Sequence, residues 1–334
     1  MRKLFALFAS LSLLPAQALA HGHGHLSQQD RFAGVEIKTH KVAGSVYMLE
    51  GAGGNIGVIA GPDGVLIVDD QFAPLADKIR AALRQINPGR LKFVLNTHWH
   101  FDHTGGNASF SPEAALVAHA NVRRRLIAGA KNLVGQEIPP APKEALPVIT
   151  FDTAVHFHFN GEEIRVVHFP AGHTDGDSVI FFTGSNVIHM GDDFFAGRFP
   201  FVDLGSGGSV EGLIKNVGEI IAQAPAGVKI IPGHGPVSTL EELRTYHAAL
   251  RETTDLIRQR MQQGKTLEQI KAEGLPEKWK EWGTGFIKTE QWIETVHRSL
   301  SHGGGKTGAA PRLFERDARR FPFDGHSTLP FLSE

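Results

Sequence analysis

The 334-residue chain contains no cysteine. Disulfide bonds, thiolate metal ligands, cysteine nucleophiles and a lipid anchor on an N-terminal cysteine are therefore all excluded. Any metal site must be built from histidine, aspartate or glutamate. Long apolar runs are also scarce, because no stretch after residue 20 approaches the roughly 20 apolar residues that a membrane-spanning helix needs.

An excess of charge of either sign is absent as well. The chain has 34 Lys and Arg residues against 35 Asp and Glu residues, a formal net charge of −1, and it has no basic block. Nucleic acid and anionic membrane surfaces attract proteins through concentrated positive charge. The charge therefore does not suggest nucleic acid or an anionic membrane surface as a partner, and we expect a small-molecule substrate.

The first twenty residues, MRKLFALFASLSLLPAQALA, predict a secretory signal. Arg2 and Lys3 form a basic start, an apolar run follows, and small residues at Ala18 and Ala20 suit cleavage after Ala20. The alternative is an N-terminal membrane anchor, but the apolar run is shorter than a spanning helix requires. We expect a periplasmic or secreted protein without a membrane anchor after signal cleavage.

The remaining chain divides by composition into three parts. Residues 21–33 predict a flexible arm, whose HGHGH sequence could alternatively capture metal ions; residues 34–300 predict one folded domain, and residues 301–334 a loose tail. Within the domain, Leu75–Ile86 has helical periodicity, and Ser238 with Glu241 suggests the capping box of a long helix. Buried strands mixed with such helices predict an α/β domain of packed layers.

The segment NTHWHFDHTGG, residues 96–106, concentrates potential metal ligands. It follows the predicted strand Leu91–Asn96. If that strand continued, His98 and His100 would lie on one face, while Trp99 and Phe101 would anchor the opposite face in the core. Asp102 and His103 would then need a turn, for which Gly105 and Gly106 give the freedom.

Further ligand candidates follow later strands. They are His173 in AGHTDGDS, Asp192 in HMGDDF and His234 in PGHGP, and each lies at a junction between a strand and a loop. Asp193 is an alternative to Asp192. Asp69 and Asp70 end another strand and fit either support of a ligand histidine or a plain turn.

Together, His98-x-His100-x-Asp102-His103, His173, Asp192 and His234 resemble the motifs of the metallo-β-lactamase superfamily, from about Val42 to His234. The resemblance implies a four-layer αβ/βα sandwich with two metal ions at one sheet edge. It implies that His98, His100 and His173 hold one metal, that Asp102, His103 and His234 hold the other, and that Asp192 bridges both. Zinc fits these ligands, and iron or manganese also accept them.

Two adjacent metals imply a hydrolase whose nucleophile is a metal-activated water, with Asp102 as the catalytic residue that orients it. Asp192 favours an ester, lactone or thioester substrate, since β-lactamases of the superfamily typically have cysteine at the bridge or no metal-binding side chain there. Three alternatives stay open: a β-lactam hydrolase, a non-catalytic periplasmic metal-binding protein and a non-haem iron oxygenase. Arg198 suits either a substrate carboxylate or a surface ion pair.

Other histidines fit structural roles better than metal binding. His156 and His158 lie within a predicted strand that lacks a glycine-flanked exit, and His119, His168 and His189 are interpreted in the same way.

Overall fold

The structure is a computed structural model that describes residues 32–131 and 137–303. The predicted signal sequence, nearly all of the predicted arm and the tail from residue 304 lie outside the described residues. The chain forms two compact units. The first runs through Arg165 and includes Phe182–Val187, and the second consists of Val166–Phe181 and the chain from Ile188 onward.

A seven-stranded sheet forms the centre of the first unit. Its strands, in spatial order, are β1 (Lys38–Ala43), β2 (Val46–Glu50), β3 (Ile56–Gly61), β4 (Gly64–Val68), β5 (Leu91–Asn96), β6 (Ala115–His119) and β9 (Ile149–Phe151). Strands β1 to β4 pair antiparallel, whereas β4, β5, β6 and β9 pair parallel. Loops that follow parallel strands leave the sheet at one edge, and such edges are where α/β proteins place their sites.

Helices cover this sheet. They are α1 (Ala76–Ile86), α2 (Phe101–Thr104), α3 (Asn107–Phe110) and α4 (Ala120–Ala128), and a two-stranded ribbon of β7 (Ala130–Lys131) and β8 (Glu137–Ile138) follows. Ile79 of α1 is fully buried with Val58 and Ile67 of the sheet. Each such side chain contributes about 1.5–3 kcal/mol of burial free energy.

A second sheet has six strands. In spatial order they are β10 (Ala154–Phe159), β11 (Glu162–His168), β12 (Ser178–Phe182), β13 (Val187–His189), β14 (Lys229–Ile231) and β15 (Ser238–Thr239). Asn160 and Gly161 join β10 to β11, and both have a positive φ, of 55° and 80°. Two such residues form the tight turn that matches the twist of a hairpin.

Four helices of the second unit pack around an aromatic core. They are α5 (Val210–Gln223), α6 (Leu240–Gln262), α7 (Leu267–Glu273) and α8 (Thr289–Gly303). Phe199 stacks on Trp292 with ring centroids 5.4 Å apart, and Tyr246 stacks on Trp282 at 6.1 Å. These rings fix the C-terminal helices by apolar burial. Among the described residues, no helix is long and apolar enough to cross a membrane.

Helix α6 corrects one sequence-based prediction. The capping box is formed by Thr239 and Glu242, so the predicted pair Ser238 and Glu241 is wrong by one residue. Ser238 instead belongs to β15, where it pairs with Ile230. Because strand pairing holds Ser238, the next hydroxyl along the chain caps the helix.

Candidate metal centre

The histidine-rich segment does not continue strand β5. That strand ends at Asn96, residues 97–99 form a bend, and helix α2 begins at Phe101 after the extended residue His100. The predicted shared strand face of His98 and His100 is therefore wrong. Trp99 is buried beside α4 as predicted, but Phe101, predicted to be the second anchor, is 53% exposed. The helix causes this outcome, because it directs His103 and Thr104 inward and leaves Phe101 on the surface.

The bend and the short helix bring four potential ligands together in the first unit. We call them the first cluster, and they are His98, His100, Asp102 and His103. The ring of His98 lies 4.8 Å from that of His100 and 4.2 Å from that of His103, measured between centroids. His98 and His103 are buried, whereas the Asp102 side chain is 32% exposed. A bend and a short helix, and not a continued strand, therefore bring these side chains together.

Asp69, directly after β4, supports this cluster through hydrogen bonds. Its Oδ1 accepts the Thr97 N–H at 2.8 Å, and its Oδ2 accepts the Thr97 hydroxyl at 2.8 Å. Oδ2 also lies 2.8 Å from Nδ1 of His103. Since the Thr97 hydroxyl donates to Asp69, it accepts the Nδ1–H of His98 at 3.0 Å. Both histidines are thereby held with Nε2 as the nitrogen that can bind a metal.

A glycine fits closely against the same cluster. A Cβ atom at Gly54 would lie 2.1 Å from Cε1 of His103, so only glycine fits there. The Gly54 N–H donates to the carbonyl of Asp102 at 3.1 Å, and Gln71 donates to the carbonyl of Gly54 at 2.8 Å. The loop before β3 is therefore fixed against the ligands.

The second unit brings three further candidates together, which we call the second cluster: His173, Asp192 and His234. Oδ2 of Asp192 lies 3.5 Å from Nε2 of His173, and Oδ1 lies 3.4 Å from Nε2 of His234. Each carboxylate oxygen thus faces a different histidine. A Cβ atom at Gly233 would lie 2.1 Å from Oδ1 of Asp192, so this glycine admits the carboxylate.

One loop supports both histidines of the second cluster. It follows Asp192, and its Phe201 carbonyl accepts Nδ1 of His173 at 2.7 Å. Phe195 stacks on His234 with centroids 5.1 Å apart, and the Ala196 N–H donates to the His234 carbonyl at 3.0 Å. No sequence pattern indicated these contacts. Arg198 of this loop is half-buried and makes no ion pair with another described residue.

Asp193 contacts the backbone of His173 and the side chain of Asp177. Its Oδ1 accepts the backbone N–H of His173 at 3.3 Å, and its carboxyl group shares a hydrogen bond with Asp177. Burial raises the pKa of Asp193 to about 7, and burial also raises the pKa of Asp177 well above its usual range. Asp177 in turn accepts the Thr174 N–H at 2.8 Å. The two carboxyl groups brace the loop that carries His173.

The five histidines that were predicted to be structural lie apart from such clusters. His156 pairs with Glu163 at 2.7 Å, His119 caps α4, and His168 contacts the Asp177 carbonyl. His189 accepts the Gly191 N–H, and His158 is exposed. Within the described part of the chain, none of these five belongs to a group of three side chains able to hold one metal.

The donor atoms of both clusters suit a metal ion. His98 and His100 offer ring nitrogens within 4.8 Å of each other, and so do His173 and Asp192 with a nitrogen and an oxygen. Imidazole nitrogen and carboxylate oxygen, with sulfur excluded by composition, are ligands for zinc, iron or manganese. The chain thus carries His/Asp clusters of metal-binding character.

The comparison with protein families agrees with this chemistry. Residues 49–234 match the model of the metallo-β-lactamase superfamily. The match covers more than half of the chain and includes every residue of both clusters. The chain therefore belongs to the metallo-β-lactamase superfamily.

The individual proteins that match are only distantly related to the chain. The chain is 27% identical over 167 residues, 48% of its length, to 2,4-dinitroanisole O-demethylase subunit alpha from Nocardioides sp. (strain JS1661). It is 24% identical over 149 residues, 43% of its length, to hydroxyacylglutathione hydrolase from Pelagibacter ubique (strain HTCC1062). These matches span 47% and 52% of the relatives' own lengths, about half of each.

A solved structure shows the fold. The DIM-1 metallo-β-lactamase matches with a TM-score of 0.54 and 18% identity, over 66% of this chain and 99% of that chain. The predicted α/β class and the αβ/βα sandwich of the superfamily are therefore confirmed.

Proposed function

We propose that the chain is a dinuclear zinc-dependent hydrolase that cleaves a small ester, lactone or thioester. One observation carries the proposal: the Asp192 carboxylate has one oxygen 3.4 Å from His234 and the other 3.5 Å from His173. A carboxylate whose two oxygens face different ligand histidines suits a bridge between two metal ions.

The proposed ligand sets follow the family pattern. His98, His100 and His173 would hold one metal, Asp102, His103 and His234 would hold the other, and Asp192 would serve both. Support comes from the family match, which includes all of these positions, and from the donor chemistry of each cluster. Two zinc ions per chain is the expected stoichiometry, with iron or manganese as alternatives.

Zinc in such a pair lowers the pKa of a water to about 7 and polarises a carbonyl oxygen. The chain's own residues position these groups. Asp69 and Thr97 fix the ring orientation of His98 and His103 through Nδ1. Asp102, the proposed catalytic residue, has a partly exposed carboxylate that would orient the attacking water.

The proposed bridging carboxylate also favours esters, lactones and thioesters as substrates. Its negative charge weakens stabilisation of an anionic amide nitrogen as leaving group, whereas alkoxide and thiolate depart more readily. The similarity to a hydroxyacylglutathione hydrolase supports a thioester or ester in particular. The two clusters offer ligands for two metals, which argues against a protein that only binds or carries metal.

A substrate panel tests this proposal. Zinc-loaded protein is assayed with esters, lactones, thioesters, phosphodiesters and β-lactams, with Asp192→Asn as the control. We expect the highest kcat/KM for an ester, lactone or thioester. A β-lactam preferred by tenfold or more, about 1.4 kcal/mol of transition-state stabilisation, would contradict the proposal. Elemental analysis that finds one iron per chain would favour the oxygenase alternative, and metal binding without turnover of any class would favour the metal-binding protein.

A further inference from the structure

One exposed apolar side chain adjoins the first cluster in the sequence. Phe101 is 53% exposed, and in the sequence it stands between the potential ligands His100 and Asp102. The other large apolar side chains that are exposed among the described residues are Ile127, Val148, Ile149 and Phe286, and none of them adjoins a potential ligand in the sequence. Single exposed apolar side chains are common on protein surfaces, so it is the position of Phe101 between two potential ligands, and not its exposure alone, that makes it a candidate binding group.

Phe101 is the outer member of a row of aromatic rings. Its ring centroid lies 5.5 Å from that of Phe72, which lies 4.9 Å from that of Phe32. Phe72 is partly buried, and its backbone forms a bridge with Gly105, one turn after Phe101. The row gives Phe101 a rigid apolar backing, so its ring can bind a ligand without losing much conformational freedom.

The neighbouring loop leaves this surface open. Residues 51–54 are Gly-Ala-Gly-Gly, and they carry no side chain larger than a methyl group and no charge. A Cβ atom at Gly53 would lie 2.5 Å from the Asp102 carbonyl oxygen and 3.2 Å from the Phe72 ring. The loop therefore packs close to Phe72 without covering the Phe101 ring.

We propose that Phe101, supported by Phe72, is an apolar shelf that binds the acyl chain or aryl ring of the substrate. This inference rests on the proposed function, because the polar end of the ligand is taken to bind at the metal ions. The substrate class is thereby narrowed to esters or thioesters of apolar carboxylic acids, in preference to acetyl or other short polar acyl groups.

The size of the effect follows from burial. A methylene group that is completely buried raises affinity about fourfold. An open shelf covers one side of a chain, so about twofold per methylene is expected. Octanoate has six methylenes more than acetate, which predicts an affinity at least tenfold higher for octanoate, with both carboxylates bound to the metals.

The test compares binding with catalysis in the zinc-loaded protein. Calorimetry gives the Kd of acetate, hexanoate and octanoate, and 4-nitrophenyl esters of the same acids give kcat/KM. The preference for octanoate is the acetate Kd divided by the octanoate Kd in binding, and the kcat/KM of the octanoate ester divided by that of the acetate ester in catalysis. Phe101→Ala should reduce both ratios at least fivefold. Phe101→Leu, which keeps most of the apolar area, should retain more than half of each ratio. Val148→Ala is the matched control, because Val148 is 73% exposed and precedes β9, whereas Phe101 follows β5, so the two residues lie at opposite edges of the parallel part of the sheet.

The outcomes separate the two proposals. If wild-type protein hydrolyses no ester but prefers octanoate in a way that depends on Phe101, the shelf stands and the proposed hydrolysis fails. If esters are hydrolysed but octanoate binds no more tightly than acetate, or Phe101→Ala keeps the wild-type ratio, the shelf is overturned. Equal losses in Phe101→Ala and Val148→Ala would also overturn it. Zinc content, measured for each variant, shows that the ratios refer to loaded protein.

Discussion

Asp69 acts on the first cluster through three hydrogen bonds at 2.8 Å, with both oxygens engaged. Its own backbone has a φ of 64°, a conformation that costs a non-glycine residue about 1 kcal/mol or more. This backbone conformation directs the buried carboxylate toward Thr97 and His103. Charge-assisted hydrogen bonds of this length are roughly twice as strong as neutral ones, so ligand orientation depends on this residue.

The Thr97 hydroxyl is the link between His98 and Asp69. Thr97→Val keeps the side-chain shape but removes the acceptor for Nδ1–H of His98. We expect zinc affinity to fall about tenfold, the lower end of what supporting groups contribute. Competition with a chromophoric chelator measures it. Thr97→Ser restores the hydroxyl and should stay within about threefold of wild type, and wild-type affinity in Thr97→Val would rule out this link.

Metal content distinguishes ligands from bystander histidines. His98→Ala and His234→Ala should each reduce bound zinc, because each removes a proposed ligand. His156→Ala should leave it unchanged, because His156 pairs with Glu163 on an exposed strand. Elemental analysis after dialysis gives the counts. Equal losses in all three variants would refute the ligand assignment.

The two adjacent aspartates should differ in importance. Asp192→Asn removes the charge that faces His173 and His234, and we expect activity to fall about 100-fold with loss of metal. Asp193→Asn resembles the protonated form of a group whose pKa is raised to about 7, so about threefold is expected. Steady-state kinetics with paired zinc analysis measures both, and the reverse ranking would make Asp193 the bridge.

At the scale of elements, periodicity predicted the regular parts well. The strand Leu91–Asn96 has the predicted bounds, and the helix predicted over Leu75–Ile86 is α1, Ala76–Ile86. Helix α2 was not predicted, because a four-residue helix is too short to show a period. Tight contacts between elements could not be predicted from periodicity either. The loop that contains Gly54 connects β2 to β3, but it packs on His103.

That packing gives a prediction for the loop. Gly54→Ala places a Cβ atom 2.1 Å from the His103 ring, while the hydrogen bond to Asp102 prevents the loop from moving away. His103 must therefore shift, and we expect zinc content to fall from about two to about one per chain. Gly34→Ala is the control, because a Cβ atom there meets nothing within 4 Å. Full zinc content in Gly54→Ala would contradict the prediction.

At the scale of the whole molecule, the prediction concerns export of the protein. We propose that residues 1–20 direct secretion and are removed, so that the mature protein begins at His21 and is periplasmic or secreted. Expression of the full-length chain in a bacterial host, followed by intact mass of the periplasmic fraction, tests this. Protein that keeps residues 1–20 and sediments with membranes would favour the anchor.

The sequence by itself determined the chemistry of the protein. The absence of cysteine limited the ligands to nitrogen and oxygen, and seven spaced histidines and aspartates predicted the family and fold, because ligand identity and chain order are local properties. Only the tertiary structure decided how these residues are held. The exposure of Phe101, the link from His98 through Thr97 to Asp69 and the orientation of Asp192 between two histidines depend on contacts between distant parts of the chain, which no local pattern records.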